Sequence, residues 1–442
     1  MTEPAAAPRP LAWRILQDLV PGLLFAAALA LYAHRLAIPE RYIYDEVYHA
    51  YTAGEYVKAN PDAYLWNTTA PREGVAYMWN HPPMGVLLIA GGIAIWGDHS
   101  FGWRFAPAIF GAAGIVLAYF LALRLTRRRG IALLTAIFLI LNGLYFVQSR
   151  TAMLDIFGTF FMMAALLFFH RYLTSSQTDA RELAFTGVFL GLAIATKWSA
   201  AYPAACVGIA VLILELRRGW SARAATAGSR LAGAAERLVF VALSLVAIPA
   251  VLYLASYIQF FALGHDLSQF VELQRQTLWY HSNLKESHDY ASAWWSWPLA
   301  QRPVWYYVAY LEGWIANIYA GSNPFLSVAF VPAAAAMVLV WWRRRDPAWL
   351  VLLIGFFGQW LPWGLVPRIA FAYHFLPATP FGTIAVAAVL GMLWDRGARG
   401  RSVCAVYVLL VAAFFVFFYP IYAAVPLTNE AFGLRLWLPS WR

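Results

Sequence analysis

The chain has 442 residues, of which 62% are hydrophobic and 12% charged, and its mean hydropathy is +0.59. Soluble domains carry about 25% charged residues, so the composition excludes an ordinary soluble enzyme and points to an all-α polytopic membrane protein. The net charge of +10 is split among short loops rather than gathered on one face, which speaks for membrane topology and against a nucleic-acid partner.

A helical span needs about 20 mostly apolar residues. Apolar runs of this kind fall near 17–36, 104–124, 131–148, 154–171, 183–198, 200–216, 238–262, 326–342, 347–363, 372–393 and 403–424. The first also fits a signal peptide, with "ALA" as its cleavage site, but it opens a series of similar runs and reads as the first span. The segment 84–97, "MGVLLIAGGIAIWG", is too short to cross comfortably and is expected to lie in the interface as an amphipathic helix. With eleven spans, 19 Lys/Arg and 8 acids fall on one side, and 13 Lys/Arg and 14 acids on the other. Cationic loops stay in the cytoplasm, so the N-terminus is expected inside and the C-terminus outside.

The outer side then holds the first loop, about 37–103, a turn at 149–153, Lys197, the segment 263–325, and Arg368 with His374. The first loop contains "RYIYDEVYHAYTAGEYV", with Asp45 and Glu46 adjacent. Two solvated charges at a span end are one reading. The other is a partly desolvated pair in which mutual repulsion raises one pKa and makes a base for neutral pH. In "WNHPPMG", the prolines allow a helix to start only at Pro83, and His81 alone is no more than a surface histidine there.

Arg104 in "FGWR", Arg150 and Asp155 in "QSRTAMLD", and Lys197 in "ATKWSA" follow on the same side. Each cation alone fits an interfacial anchor that snorkels; together they fit a cradle for a lipid-linked phosphate. Arg368 and His374, in "PRIAFAYHFLP", are six residues apart in a proline-broken segment and admit the same two readings. Cys206 and Cys404 lie in apolar runs and form no disulfide framework. No HExxH, Cys/His cluster, P-loop, GxGxxG or Ser-centred elbow is present, so no metal site is assigned.

Taken together and in order, "YDEVYHA", "HPPMG", "FGWR", "QSRTAMLD", "ATKWSA", "WPLAQRPVWYY", "GSNP" and "RIAFAYHFLP" resemble the protein O-mannosyltransferases, membrane glycosyltransferases of the GT-C type. The resemblance implies about eleven transmembrane helices, a first outer loop with interfacial helices over the active site, and inversion at the sugar carbon. It implies a polyprenyl-phosphate-mannose donor lipid, an exported acceptor polypeptide and no required cofactor, although acidic side chains could recruit a divalent ion. In residues, it casts Asp45 as the base and Glu46 as an acceptor-binding partner, with Arg104, His81 and Tyr48 in support. It casts Lys197, Arg368, His374, Arg150 and Asp155 as donor-binding groups. Two departures stand out: Val86 occupies a position where the family commonly has Lys, and 263–304 is too short for the β-trefoil (MIR-type) domain of eukaryotic members. The expectation is therefore a single transmembrane domain over 1–442. A lipid or envelope-glycan acceptor is the second reading. A lipid flippase is the third, disfavoured because the charges gather at one edge instead of lining a path.

Overall fold

The computed structural model describes residues 11–175, 179–220 and 227–442; the Ala/Pro N-terminus and parts of the 171–182 and 217–237 loops lie outside them. Among the described residues, eight helices are long and apolar enough to cross a membrane. Three shorter apolar helices cover Asp18–Ala33, Met84–Trp96 and Arg129–Ile140. In chain order the helices are α1 (Leu11–Ala33), α2 (Glu46–Val57), α3 (Met84–Trp96), α4 (Ser100–Thr126), α5 (Arg129–Ile140), α6 (Gly143–Gln148), α7 (Asp155–Thr174), α8 (Ala180–Thr196) and α9 (Ala201–Trp220). Then come α10 (Ala227–Ala242), α11 (Ile248–Ser256), α12 (Ile258–Ala262), α13 (Leu267–Asn283), α14 (Pro324–Arg344), α15 (Pro347–Trp360), α16 (Thr379–Trp394), α17 (Ala398–Tyr422) and α18 (Asn429–Gly433).

α4 is the central post, packed against α1, α3, α5 and α7, and the α7–α8 hairpin stands beside it. Small residues let these helices approach closely. At Gly187 in α8, an added Cβ would sit 1.7 Å from the Ser244 carbonyl oxygen. Any side chain there would push α8 off the α10–α11 helix pair.

Two expected spans are broken. The run 131–148 divides into α5 and α6, because the Asn142 side chain accepts hydrogen bonds from the Leu144 and Tyr145 amides (3.0 and 3.2 Å) and starts a new helix. The run 238–262 contains a π-helical turn, Leu243–Ala247, just before Pro249, followed by two short helices. A proline has no N–H to donate back, and a wide turn accommodates the gap.

α3 also departs from expectation. It is apolar on both faces rather than amphipathic: Val86, Ile89 and Ile93 are buried against α2, α4 and α8, while Ile95 and Trp96 are exposed. Val86 is fully buried, so a lysine at this position would need a buried partner.

The chain is not wholly α-helical. The segment 304–320 forms a hairpin of β1 (Val304–Leu311) and β2 (Trp314–Ala320), and a short β3 (Leu427–Thr428) adds to β2. The two-residue turn uses Gly313 at φ 71°. The alternating aromatic pattern "VWYYVAYL" suits a half-buried strand. A bulge between Trp305 and Tyr307 leaves Tyr306 unpaired and turns its ring inward.

Candidate active site

Asp45 and Glu46 sit where the chain enters α2, and the fold separates them completely. Tyr44 adopts a left-handed conformation at φ 46°, uncommon for a bulky residue and costing about 1–2 kcal/mol. Its ring stacks on Tyr306 at 4.5 Å, and the Tyr306 hydroxyl accepts a hydrogen bond from Gln148 Nε2 (2.8 Å). Asp45 is the N-cap of α2 yet makes no capping hydrogen bond, so its carboxylate is left facing a cavity. Among the described residues its carboxylate accepts one hydrogen bond, a long one from the Tyr373 hydroxyl (3.4 Å).

Glu46 points the other way. It is fully buried and takes both ends of the Arg104 guanidinium: Nε to Oε1 and Nη2 to Oε2, each 2.8 Å. The amides of Ile43 and Ala152 complete its shell at 3.0 Å. Arg104 spends its remaining N–H groups on the carbonyls of Leu36, Pro39 and Arg41. This pair therefore staples the start of the first loop to α4 and to the turn before α7. The pair does not line the cavity: the expectation that Glu46 faces an acceptor meets a carboxylate turned into the protein, with Arg104 behind the cavity wall.

The cavity has a volume of about 490 Å³. Its walls bring together Asp45, Tyr48 and His81 from the first loop, Asp155 at the start of α7, Lys197 after α8, and Arg368, Tyr373 and His374 from the segment before α16. His49 anchors the far wall, its Nδ1 hydrogen-bonded to the Ala152 carbonyl (3.0 Å). Lys197 Nζ donates to both Asp155 oxygens (2.8 and 3.0 Å) and lies 5.7 Å from the centre of the Tyr373 ring. The carboxylate that partners Lys197 is thus supplied from 42 residues away. Arg368 rests on Trp363 (5.8 Å) and, among the described residues, makes no salt bridge. His374 Nδ1 lies 3.0 Å from the Phe371 amide nitrogen and 3.1 Å from the Phe371 carbonyl oxygen, so the Phe371 backbone fixes the orientation of the ring.

Arg150 does not join them. It is buried and turned to the carbonyls of Leu31 and His34 at the end of α1, with its guanidinium over Phe146. The reading of Arg150 as a donor-binding group is corrected accordingly: the turn 149–154 presents Asp155 to the cavity and Arg150 to the protein interior.

The electrostatics follow from burial. Desolvation pushes the Asp45 carboxyl up to about 6; the Lys197 charge opposes this and the Asp155 charge adds to it. The expected repulsion from Glu46 is not the cause, because Arg104 neutralises that carboxylate. Burial also drives His49 down to about 3, His281 to about 4 and His81 well below 6.5, so these imidazoles are neutral. His81 is not a surface histidine: its ring lies 5.1 Å from that of His281, and its Nδ1 is buried without a partner.

A smaller cavity of about 230 Å³ adjoins the first and shares His81, Lys197 and Arg368 with it. Its other wall carries the exposed apolar residues Leu365 and Leu278. Sequence reasoning missed Tyr373, His281, Tyr280 and His288. The last three come from α13 and the loop after it, docked on the first loop through His281 Nε2 and the Asn80 carbonyl (2.7 Å). The spacing of Thr277 and His281, one turn apart on a helix in an outer loop, was the available signal.

Comparison with known proteins fits this geometry. Residues 22–263 match the family model "Dolichyl-phosphate-mannose-protein mannosyltransferase", and residues 266–441 match the C-terminal four-transmembrane region of protein O-mannosyltransferases. The chain belongs to the protein O-mannosyltransferase family. The polyprenol-phosphate-mannose–protein mannosyltransferase of Mycobacterium tuberculosis is 29% identical to this family member, over 82% of this chain and 81% of that protein. Its counterpart in Mycolicibacterium smegmatis is 28% identical, over 82% of both. The Pmt1–Pmt2 complex of Saccharomyces cerevisiae, bound to its sugar donor, superposes with a TM-score of 0.78 at 17% identity, covering 96% of this chain and 92% of that one. ArnT of Cupriavidus metallidurans, bound to undecaprenyl phosphate, gives 0.59 at 16% identity over 97% and 76%. The shared fold is that of the GT-C glycosyltransferases, and this O-mannosyltransferase family member is an integral membrane protein.

Proposed function

We propose that this chain is an inverting glycosyltransferase that moves mannose from a polyprenyl-phosphate-linked donor to Ser/Thr hydroxyls of exported polypeptides. The observation that carries the reading is the meeting of Asp45 with Lys197 and Arg368 in one cavity. Asp45 takes the proton of the acceptor hydroxyl as its oxygen forms a bond to the sugar C1. The C1–O bond to phosphate breaks on the opposite face, and the electron pair leaves with the polyprenyl phosphate. Arg368, without a carboxylate partner among the described residues, is the principal phosphate anchor, with Lys197 and His374 beside it. Positioning and preorganised charge supply most of such a rate. The smaller adjoining cavity, open to apolar surface, suits the first isoprene units of the donor. Tyr48, His81, His288 and Tyr280 border the acceptor side, and Glu46 with Arg104 holds α2 in register.

In this reading the chain is one transmembrane domain over 1–442. Its outer loops, 37–103 and 263–325, roof the cavity. Eleven helices cross a bacterial plasma membrane, the N-terminus is cytoplasmic and transfer occurs on the outer face. The loop charges support that orientation. Positive charge at the leaving group comes from side chains, so no metal is required. Purified protein, given polyprenyl-phosphate-[14C]mannose and a Ser/Thr peptide, is expected to label the peptide, and Asp45→Asn to abolish labelling. Label appearing in a lipid or glycan fraction instead of the peptide would replace the acceptor; full activity of Asp45→Asn would overturn the base.

A further inference from the structure

A large apolar cleft lies at the other end of the molecule. It has a volume of about 680 Å³ and opens between the first half of α5, the last half of α16 and the first half of α17. α16 begins five residues after His374 and ends at Trp394 on the cleft wall, which separates the cleft from the catalytic cavity by about 20 Å along that helix. The walls are Ile131, Leu134, Leu390, Val408 and similar side chains, with Ala405 exposed at the opening.

The mouth is strongly basic. The turn from α4 to α5 carries Arg127, Arg128 and Arg129; the turn into α17 carries Arg396, Arg399 and Arg401. Arg128 joins the two turns by a bidentate pair with Asp395 (2.6 and 2.9 Å) and lines the cleft itself. Arg401 lies over Trp394, another wall residue (5.7 Å). Asp395 is the one carboxylate in these two turns, so their charge is six arginines against one acid. An apolar slot between membrane helices, closed at the headgroup level by excess arginine, is complementary to a lipid with acyl chains and a phosphate that keeps its charge.

We propose that this cleft binds one anionic diacyl phospholipid of the leaflet on this face. Its acyl chain fills the slot between α5, α16 and α17, and its phosphate sits on Arg128 and Arg401. A zwitterionic lipid fits the slot equally but gains far less at the mouth, because its own cation offsets the charge of its phosphate. The occupant is a structural lipid that ties the two turns together, separate from the donor.

The test uses the whole protein, purified in detergent and stripped of lipid. Native mass spectrometry would be run with phosphatidylglycerol and phosphatidylcholine of identical acyl chains. The expected result is one retained phosphatidylglycerol and no retained phosphatidylcholine, with retention about fivefold weaker for each of Arg128→Gln and Arg401→Gln. Ala405→Trp, which plugs the opening without touching charge, is expected to remove retention as well. Equal retention of both lipids overturns the proposal, as does retention that survives Ala405→Trp. Should a variant fail to fold, a phosphatidylglycerol with a photoreactive acyl chain is used on the unaltered protein. Crosslinks on α5, α16 or α17 support the site, and crosslinks confined to other helices sink it.

Discussion

The Glu46–Arg104 pair and the Asp155–Lys197 pair are both ion pairs of a membrane protein, and they do opposite jobs. Around Glu46, both carboxylate oxygens and all five guanidinium N–H groups of Arg104 are taken by protein. Nothing is left over for a substrate. Around Lys197, one ammonium is shared with one carboxylate on a cavity wall, while Asp45 and Arg368 across the same space lack strong partners. Saturated charge holds structure; unsaturated charge facing a cavity is available for chemistry.

The comparison breaks most sharply at Asp45. Asp45→Asn is expected to lower kcat by about 10²–10⁴-fold, the usual worth of a positioned base, with no change in thermal unfolding because the side chain holds nothing in place. Transfer assays and melting curves on the same preparation check both halves. Glu46→Gln and Arg104→Met should behave inversely. Each leaves a buried charge unpaired and is expected to cost about 3–5 kcal/mol of stability, read as a lower melting temperature, while the joint replacement Glu46→Leu with Arg104→Met recovers much of the loss.

A third, smaller effect tests the phosphate assignment. Arg368→Gln removes one charge-assisted contact and is expected to raise KM for the donor lipid about 10–100-fold while stability holds. A change in acceptor KM alone would contradict the assignment.

The pH profile sharpens the picture further. Asp45 is a base only when ionised, so kcat/KM should fall about tenfold per pH unit below about 6. The fall should persist in His288→Gln, which removes the exposed imidazole on the cavity wall. The Tyr373 hydroxyl favours the charged carboxylate, so Tyr373→Phe should move the midpoint upward. The smallest expected effect is none: treatment with EDTA should leave the rate unchanged, since Arg368 and Lys197 carry the positive charge.

Much of the site was legible from residue order. The segments with Asp45, Lys197, Arg368 and His374 announced themselves because ionisable residues are rare and costly beside lipid. Their convergence was not legible, nor was the Asp155 carboxylate on Lys197, because such pairs are made by helix packing and not by spacing. Arg150 and Asp155 share one short turn, and only the docking of that turn on α2 decides that the aspartate faces the cavity while the arginine faces α1. The same holds for the broken span at Asn142: the Asn-Gly signal was present, but hydrophobicity over 131–148 masked it.

Composition by itself determined that the chain is helical and lives in a bilayer, because unpaired backbone in lipid leaves few alternatives. Charge distribution set the expectation of which loops share one side of the membrane. Tertiary structure alone decided how the two adjacent carboxylates are placed, Asp45 toward the cavity and Glu46 onto Arg104. The first residues of a helix point in different directions, and one side chain met Arg104 while the other met an open cavity that strips away water and lifts its pKa.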